Sequence, residues 1–247
     1  MQRNPLPMII SLLFIFPLFF LQIDGQVKTI KKPKKKPKQS QIQKSQEEKY
    51  EKEILAQIKK EQEENKPTNF YVFVGEKIQV KPFQPETEKD EILMDSAFKA
   101  KYRVIQNLYG NYDKGRIEFE VYDHYGTPPF SRYTNVLLFV SEYKGKLYHE
   151  KYQYFDVYKT KDGRWASCGD PYRFDEYHRK DIKLTKLEFD EPLFFDLTEF
   201  NAKYIKEVFK EPYFKVNNNK AECKMGAYID ELFVVKKEGV LKARGLF

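Results

Sequence analysis

Residues that carry catalysis or bind metals are scarce in this 247-residue chain. Histidine occurs three times, at His124, His149 and His178, beside the acids Asp123, Glu150 and Glu176. No HxxxH or HExxH spacing is present, so a metal site would need ligands gathered by the fold. Cysteine occurs twice, and neither Cys168 nor Cys223 has a histidine or second cysteine at ligand spacing, which argues against zinc. Ser131, Ser141 and Ser167 lie in no nucleophile-elbow context. With 37 acidic residues, some pair always falls at a glycosidase separation, so such pairs carry no argument. These patterns point to no catalytic residue, no metal and no cofactor.

The long apolar runs are also short of what a membrane needs. Met8–Leu21 is the longest, and Pro17 interrupts it. It falls below the roughly 20 apolar residues that span a bilayer. With Arg3 ahead of it and Gly25 as the small residue at a cut before Gln26, residues 1–25 have the pattern of a secretory signal peptide. An uncleaved anchor is the alternative, since the run stretches from Pro5 to Ile23 when its flanks are counted. The lysines that follow bear on both readings, because positive flanks tend to stay in the cytoplasm. No cysteine stands near the end of the run, which excludes bacterial-type lipid attachment there.

Excess charge is missing from most of the chain. The formal net charge is +7, and the seven lysines between Lys28 and Lys38 equal it alone. Residues 39–66 and 67–247 are each within one charge of neutral. Residues 26–45 therefore form a disordered Lys/Pro tether, with Lys31, Lys32, Lys34, Lys35 and Lys36 at its densest part. A basic tether suits an anionic surface, whether membrane headgroups, lipopolysaccharide or acidic wall polymer. Nucleic acid is not an expected partner, because the body of the protein carries no positive excess.

Residues 46–66 predict a short exposed helix or linker. Tyr50, Ile54, Leu55 and Ile58 recur at helical spacing, and Lys49–Glu53 is an i,i+4 pair. From residue 67 to 247 the period becomes that of strands. Phe70–Lys81 is a strand with Gly75 as a bulge or close contact, and Phe98, Ala100, Tyr102 and Val104 alternate with charged residues. Ile117, Phe119 and Val121 form the next strand, and Val136–Val140 is apolar throughout, as a strand buried on both faces would be. Leu147–Tyr158, Arg164–Ser167, Ile182–Phe189 and Leu193–Phe195 follow. One helix is expected after an N-cap at Thr198, with Phe200, Tyr204, Ile205, Val208 and Phe209 on its apolar face. Ala227–Lys236 and Val240–Ala243 are expected as strands around Gly239. The fold class is mainly β: a curled antiparallel sheet or OB-like barrel with one packed C-terminal helix.

In an exported protein, Cys168 and Cys223 form a candidate disulfide; two separate buried thiols are the alternative. Tyr148, Tyr152, Tyr154 and Tyr158 share one parity, so they would line one face of a strand. Such a face stacks sugar rings or bases, or else packs under a loop. The segment Tyr122–Phe130 (YDHYGTPPF) joins a His-Tyr-Gly turn to a stiff Pro-Pro pair, a loop suited to contact a ligand. Binding candidates are therefore His124, Tyr125, Phe130, Tyr152 and Tyr154. Cys168–Arg173 is a second such loop, pinned if the disulfide forms.

Phe70–Gly75 (FYVFVG), Phe98–Val104 (FKAKYRV), Tyr109-Gly110, Ile117–Val121 and Val136–Val140 together resemble the opening of an OB-fold module. The module is that of tissue inhibitors of metalloproteases and the netrin C-terminal domain, and the likeness covers residues 69–168. Those inhibitors chelate a target's zinc through an N-terminal cysteine. This chain, cut before Gln26, would begin with a basic tether, so that activity is not carried over. The resemblance implies an extracytoplasmic binding module on a barrel rather than an enzyme.

Taken together, the residues suggest a secreted or periplasmic, non-enzymatic protein that binds a protein or polysaccharide partner. A sugar- or wall-active enzyme with an unrecognised acid pair, and a structural protein held by an uncleaved leader, are the alternatives.

Overall fold

The computed structural model describes residues 49–57, 66–86, 93–173, 182 and 184–247. Residues 49–57 form a helix, α1, whose side chains are exposed. The Lys49–Glu53 pair closes across one turn at 3.8 Å.

Five strands then close a barrel. They are β1 (Asn69–Pro82), β2 (Ser96–Tyr109), β3 (Arg116–Asp123), β4 (Asn135–Tyr143) and β5 (Lys146–Asp156). Their order around the barrel is β1-β2-β3-β5-β4. All pairings are antiparallel except β3 with β5, which meet in parallel at Glu120 and Tyr148. Of the two forms expected, a curled sheet or a barrel, the strands take the closed barrel. Alternation follows from burial of one face: Ala100, Tyr102, Ile117, Phe119 and Val121 point inward while their charged neighbours face solvent. A 3-10 turn, Pro129–Arg132, caps one end and drives Phe130 into the barrel.

Gly75 has both roles expected of it. The β1–β2 register shifts between Val74 and Gly75. A Cβ at Gly75 would stand 3.0 Å from both the Phe73 and Tyr102 rings.

The apolar run of β4 serves two cores, as its composition requires. Val136, Leu138 and Val140 fill the barrel. Leu137 and Phe139 face outward onto a second layer with Val72, Val74, Trp165, Ile229 and Leu232. That layer holds β6 (Tyr158–Lys159), β7 (Trp165–Cys168), β8 (Thr185–Lys186) and β12 (Met225–Tyr228), in the order β6-β7-β12-β8. A three-stranded sheet of β9 (Phe194–Asp196), β10 (Phe214–Asn217) and β11 (Lys220–Cys223) completes the domain. The Cys168–Cys223 disulfide joins β7 to β11, with Cα atoms 6.0 Å apart.

Several expectations about this half are corrected. Among the described residues of the expected strand Ile182–Phe189, only β8 and an isolated Thr160–Phe189 bridge are strand-like. Thr198 caps no helix: its N–H and hydroxyl both donate to Asp196 Oδ1. The helix α2 (Ala202–Val208) starts after Asn201, whose Oδ1 accepts from Tyr204 N–H at 2.9 Å, and none of its residues is buried.

The packed helix is α3 (Ile229–Lys236), in the segment expected as a strand. Ile229, Leu232 and Val235 recur every three residues and bury one face. Tyr228 N–H donates to Glu231 Oε2 at 2.9 Å, and Asp230 and Glu231 place negative charge at the helix start. These outweigh the β-branched content of the run. A π-turn, Lys237–Leu241, kinked at Gly239, continues the helix, so Val240–Ala243 is not a strand either.

Gly226 holds β12 tightly against β7. A Cβ there would lie 2.0 Å from the Ser167 carbonyl oxygen and 2.7 Å from Leu187 Cδ1. Gly226→Ala must part the two strands, and we expect a cost of about 1–3 kcal/mol. The check is the urea midpoint; an unchanged value would show that the pairing yields freely.

Candidate functional site

The two loops singled out in the sequence meet across one groove. Its volume is about 580 Å3, within the size range of small-ligand sites. Tyr125 comes from the β3–β4 connection, Tyr152–Asp156 from β5, Gly169–Pro171 and Arg173 from the loop after β7, and Leu232 and Lys236 from α3. A second hollow of about 500 Å3 lies over the three-stranded sheet, lined by asparagines and lysines without the first one's cluster of rings.

β5 supplies the groove because it is not a regular strand. It pairs Tyr154 with Leu138 but His149 with Val140, which inserts three extra residues opposite Phe139. Tyr152, at the turn of this bulge, has a φ of +66°. An odd insertion reverses the side-chain alternation, so the expected tyrosine stripe is broken. Leu147 and His149 face the barrel core on one side of the bulge, and Tyr154 faces it on the other. Tyr148 instead packs outside on Tyr122 and Tyr143, and Tyr158 belongs to the second layer with Phe189 and Phe195. The cause is legible in the residues: strict alternation would have driven Lys151 and Gln153 into the barrel beside Leu147 and His149.

Each predicted binding residue has a definite place. Tyr125 is 84% exposed and its ring lies 5.9 Å from that of Tyr152, so the two form an open aromatic wall. Tyr154 lines the groove and rests on Phe130 and Tyr133. Phe130 is 1% exposed; it supports Tyr154 from beneath and offers no surface of its own. His124 stands at the rim, its Nδ1 3.3 Å from Asp95. Its acid partner is thus Asp95 rather than neighbouring Asp123, whose Oδ1 accepts from Tyr125 N–H at 2.8 Å and shapes the loop. Asp95 also receives the Lys151 ammonium at 2.5 Å, which ties the bulge to the chain ahead of β2. That hydrogen bond holds the Asp95 carboxyl below its ordinary range.

His149 makes no use of Glu150. It is buried between Phe119 and Phe130, and its Nε2 bonds the Gln153 carbonyl at 2.9 Å. Glu150 turns the other way, to Ser141 and Arg244.

Several groove residues were not anticipated, among them Gln153, Asp156, Tyr133 and, from α3, Leu232 and Lys236. Asp156 is half-buried, and desolvation pushes its carboxyl upward against a lowering hydrogen bond from Tyr158. Burial and the nearby Asp156 charge push the Tyr133 hydroxyl up to about 12. Asp170 accepts from Tyr172 N–H at 3.0 Å, which sets the loop after β7. The one available signal was the polar pair Glu150-Lys151, which interrupts the alternation of β5 and marks the bulge.

Among the described residues, no three His, Cys, Asp or Glu side chains gather as a metal site. His178, the apolar leader and the tether lysines Lys31, Lys32, Lys34, Lys35 and Lys36 lie outside the described residues. No family model, no curated protein and no solved structure matches the chain.

Proposed function

We propose that this is an extracytoplasmic binding protein, whose β-domain takes its ligand in the groove between the β3–β4 connection, the β5 bulge and the loop after β7. The lysine tract holds it near an anionic surface. The observation that carries this reading is the convergence of two sequence-distant loops on one cavity walled by exposed tyrosines and floored by buried polar groups. The disulfide suits an oxidising compartment. Among the described residues no helix is long and apolar enough to cross a membrane.

Asp156 and Asp170 both line the groove, and this favours acid-catalysed hydrolysis as the second reading. One experiment separates the two. Oligosaccharides and peptides are titrated into the full chain by two-dimensional NMR, and each ligand is then recovered and weighed by mass spectrometry. Binding predicts shifts confined to groove residues and an intact ligand; a cleaved one would establish the hydrolase. Tyr125→Ala is expected to weaken binding about tenfold, the worth of one aromatic contact, with stability held within about 0.5 kcal/mol. Unchanged affinity in that variant would sink the groove as the ligand site.

A further inference from the structure

We propose that the groove is a site for a neutral oligosaccharide, in which Gln153 and Asp156 accept hydrogen bonds from sugar hydroxyls while Tyr125 and Tyr152 cover the ring faces. This rests on the groove being the binding site.

Gln153 carries the inference. Its side chain is only 6% exposed and it lines the groove. Its Nε2 donates to the Lys151 carbonyl at 3.1 Å, which fixes the amide. Among the described residues no donor reaches its Oε1. Buried carbonyl oxygens are almost always paired, so this acceptor is an anomaly, and its residue lies in the lining of the groove. A ligand hydroxyl would satisfy it. The His149 bond to the Gln153 backbone holds the residue in place, so the acceptor is preorganised.

The remaining chemistry narrows the ligand. Asp156 adds a second acceptor two rungs beyond Tyr154 along β5. A floor that accepts twice asks for a ligand rich in donors. The Tyr125 and Tyr152 rings, 40° from coplanar, offer flat apolar faces suited to the C–H face of a pyranose. Formal charges along the lining balance: Asp156 and Asp170 against Arg173 and Lys236. An aromatic site for an amine would lack those two cations, and one for a phosphate-bearing chain would carry more of them. A hydroxyl-bearing, uncharged ring fits all three features.

The test uses the full chain and four neutral pentasaccharides: cello-, chito-, laminari- and manno-oligosaccharides, each also in per-O-methylated form. Calorimetry should find at least one sugar with a Kd of about 1 mM or tighter. Its methylated form, which keeps the ring faces but has no hydroxyl donors, should not bind. Gln153→Leu keeps the side-chain volume and removes the acceptor. It should weaken that sugar at least tenfold while the melting temperature changes little, because the variant removes an unpaired buried oxygen along with the Nε2 bond, and the Lys151 carbonyl keeps the Arg244 guanidinium at 3.0 Å. A purely structural Gln153 would move stability and leave affinity alone, and that result overturns the proposal. So does failure of all four sugars. If peptides still shift the groove resonances in that case, the binding reading survives and only the saccharide assignment falls.

Discussion

Between pH 6.5 and pH 3 the domain will lose roughly 4 kcal/mol of stability to one side chain, the buried imidazole of His149. The ring lies 4.6 Å from Phe130 and 6.2 Å from Phe119, and burial pushes its pKa down to about 3. The hydrogen bond to the Gln153 carbonyl opposes this lowering, and the nearby Arg244 guanidinium adds to it. In the unfolded chain the imidazole titrates near its ordinary 6.5. As pH falls through that value the unfolded state takes up a proton that the folded state refuses. Stability is therefore full above the unfolded pKa and drains steadily down to the folded one. Asp156 works the other way: its carboxyl is raised by burial, so acid returns part of what its ionisation costs at neutral pH. Urea melts at pH 7, 5, 4 and 3 measure the sum, and His149→Gln isolates the imidazole. That variant keeps a donor for the Gln153 carbonyl and should have a much flatter acid limb. Parallel curves for the two proteins would rule His149 out. Because the folded state keeps its imidazole neutral down to about pH 3, the hydrogen bond that anchors the β5 bulge stays intact, and ligand affinity of the native protein should hold level while stability falls.

His149 also shows why the barrel was legible in the sequence and the groove was not. Barrel strands are written by burial of one face, so Phe98–Tyr102 and Ile117–Val121 reveal themselves by parity alone. Val136–Val140 reveals its two buried faces by having no parity at all. The groove depends instead on a break in parity. Tyr152 and Tyr154 are two apart in sequence, yet only the inserted residues decide that one faces solvent and the other rests on Phe130. No composition rule places Tyr125 beside Tyr152; the closure of β5 against β3 and β4 does. Likewise, Ile229–Lys236 is rich enough in β-branched and aromatic residues to suggest a strand. Its helical state is decided by a cap bond from Tyr228 to Glu231 and by a core waiting at a three-residue spacing. Gln153 was invisible for a different reason. Its importance lies in a partner it does not have, which only a packed interior can show.

Replacing Cys168 and Cys223 together with alanine will cost roughly 4 kcal/mol, the entropy of closing the 55-residue separation between them. For a domain of this size that corresponds to a fall in melting temperature of about 8–16 °C. The bond ties the sheet of β7 and β12 to that of β9, β10 and β11, which are also joined by Lys224 between β11 and β12, by the Tyr213 carbonyl that accepts from Lys224 and Met225 N–H, and by packing around Phe195 and Phe214. Cys168 also opens the loop that forms one wall of the groove. Two further ties act on that loop: Gly169 N–H donates to the Met225 carbonyl at 3.0 Å, and Gly169 takes a φ of +96° that brings its backbone close to Phe214. The disulfide therefore has two separable effects. Measured at 10 °C, where the alanine protein remains folded, ligand affinity reports the wall alone, and we expect a several-fold loss as the loop gains freedom. Thermal melts report the global term. A stability loss below 1 kcal/mol would mean that the sheets hold each other without the bond. Full affinity in a protein melting some 10 °C lower would mean that the Met225 and Phe214 contacts suffice to set the wall. Unlike the imidazole, the disulfide binds no protons, so its contribution should be the same at pH 7 and pH 5 while that of His149 is not.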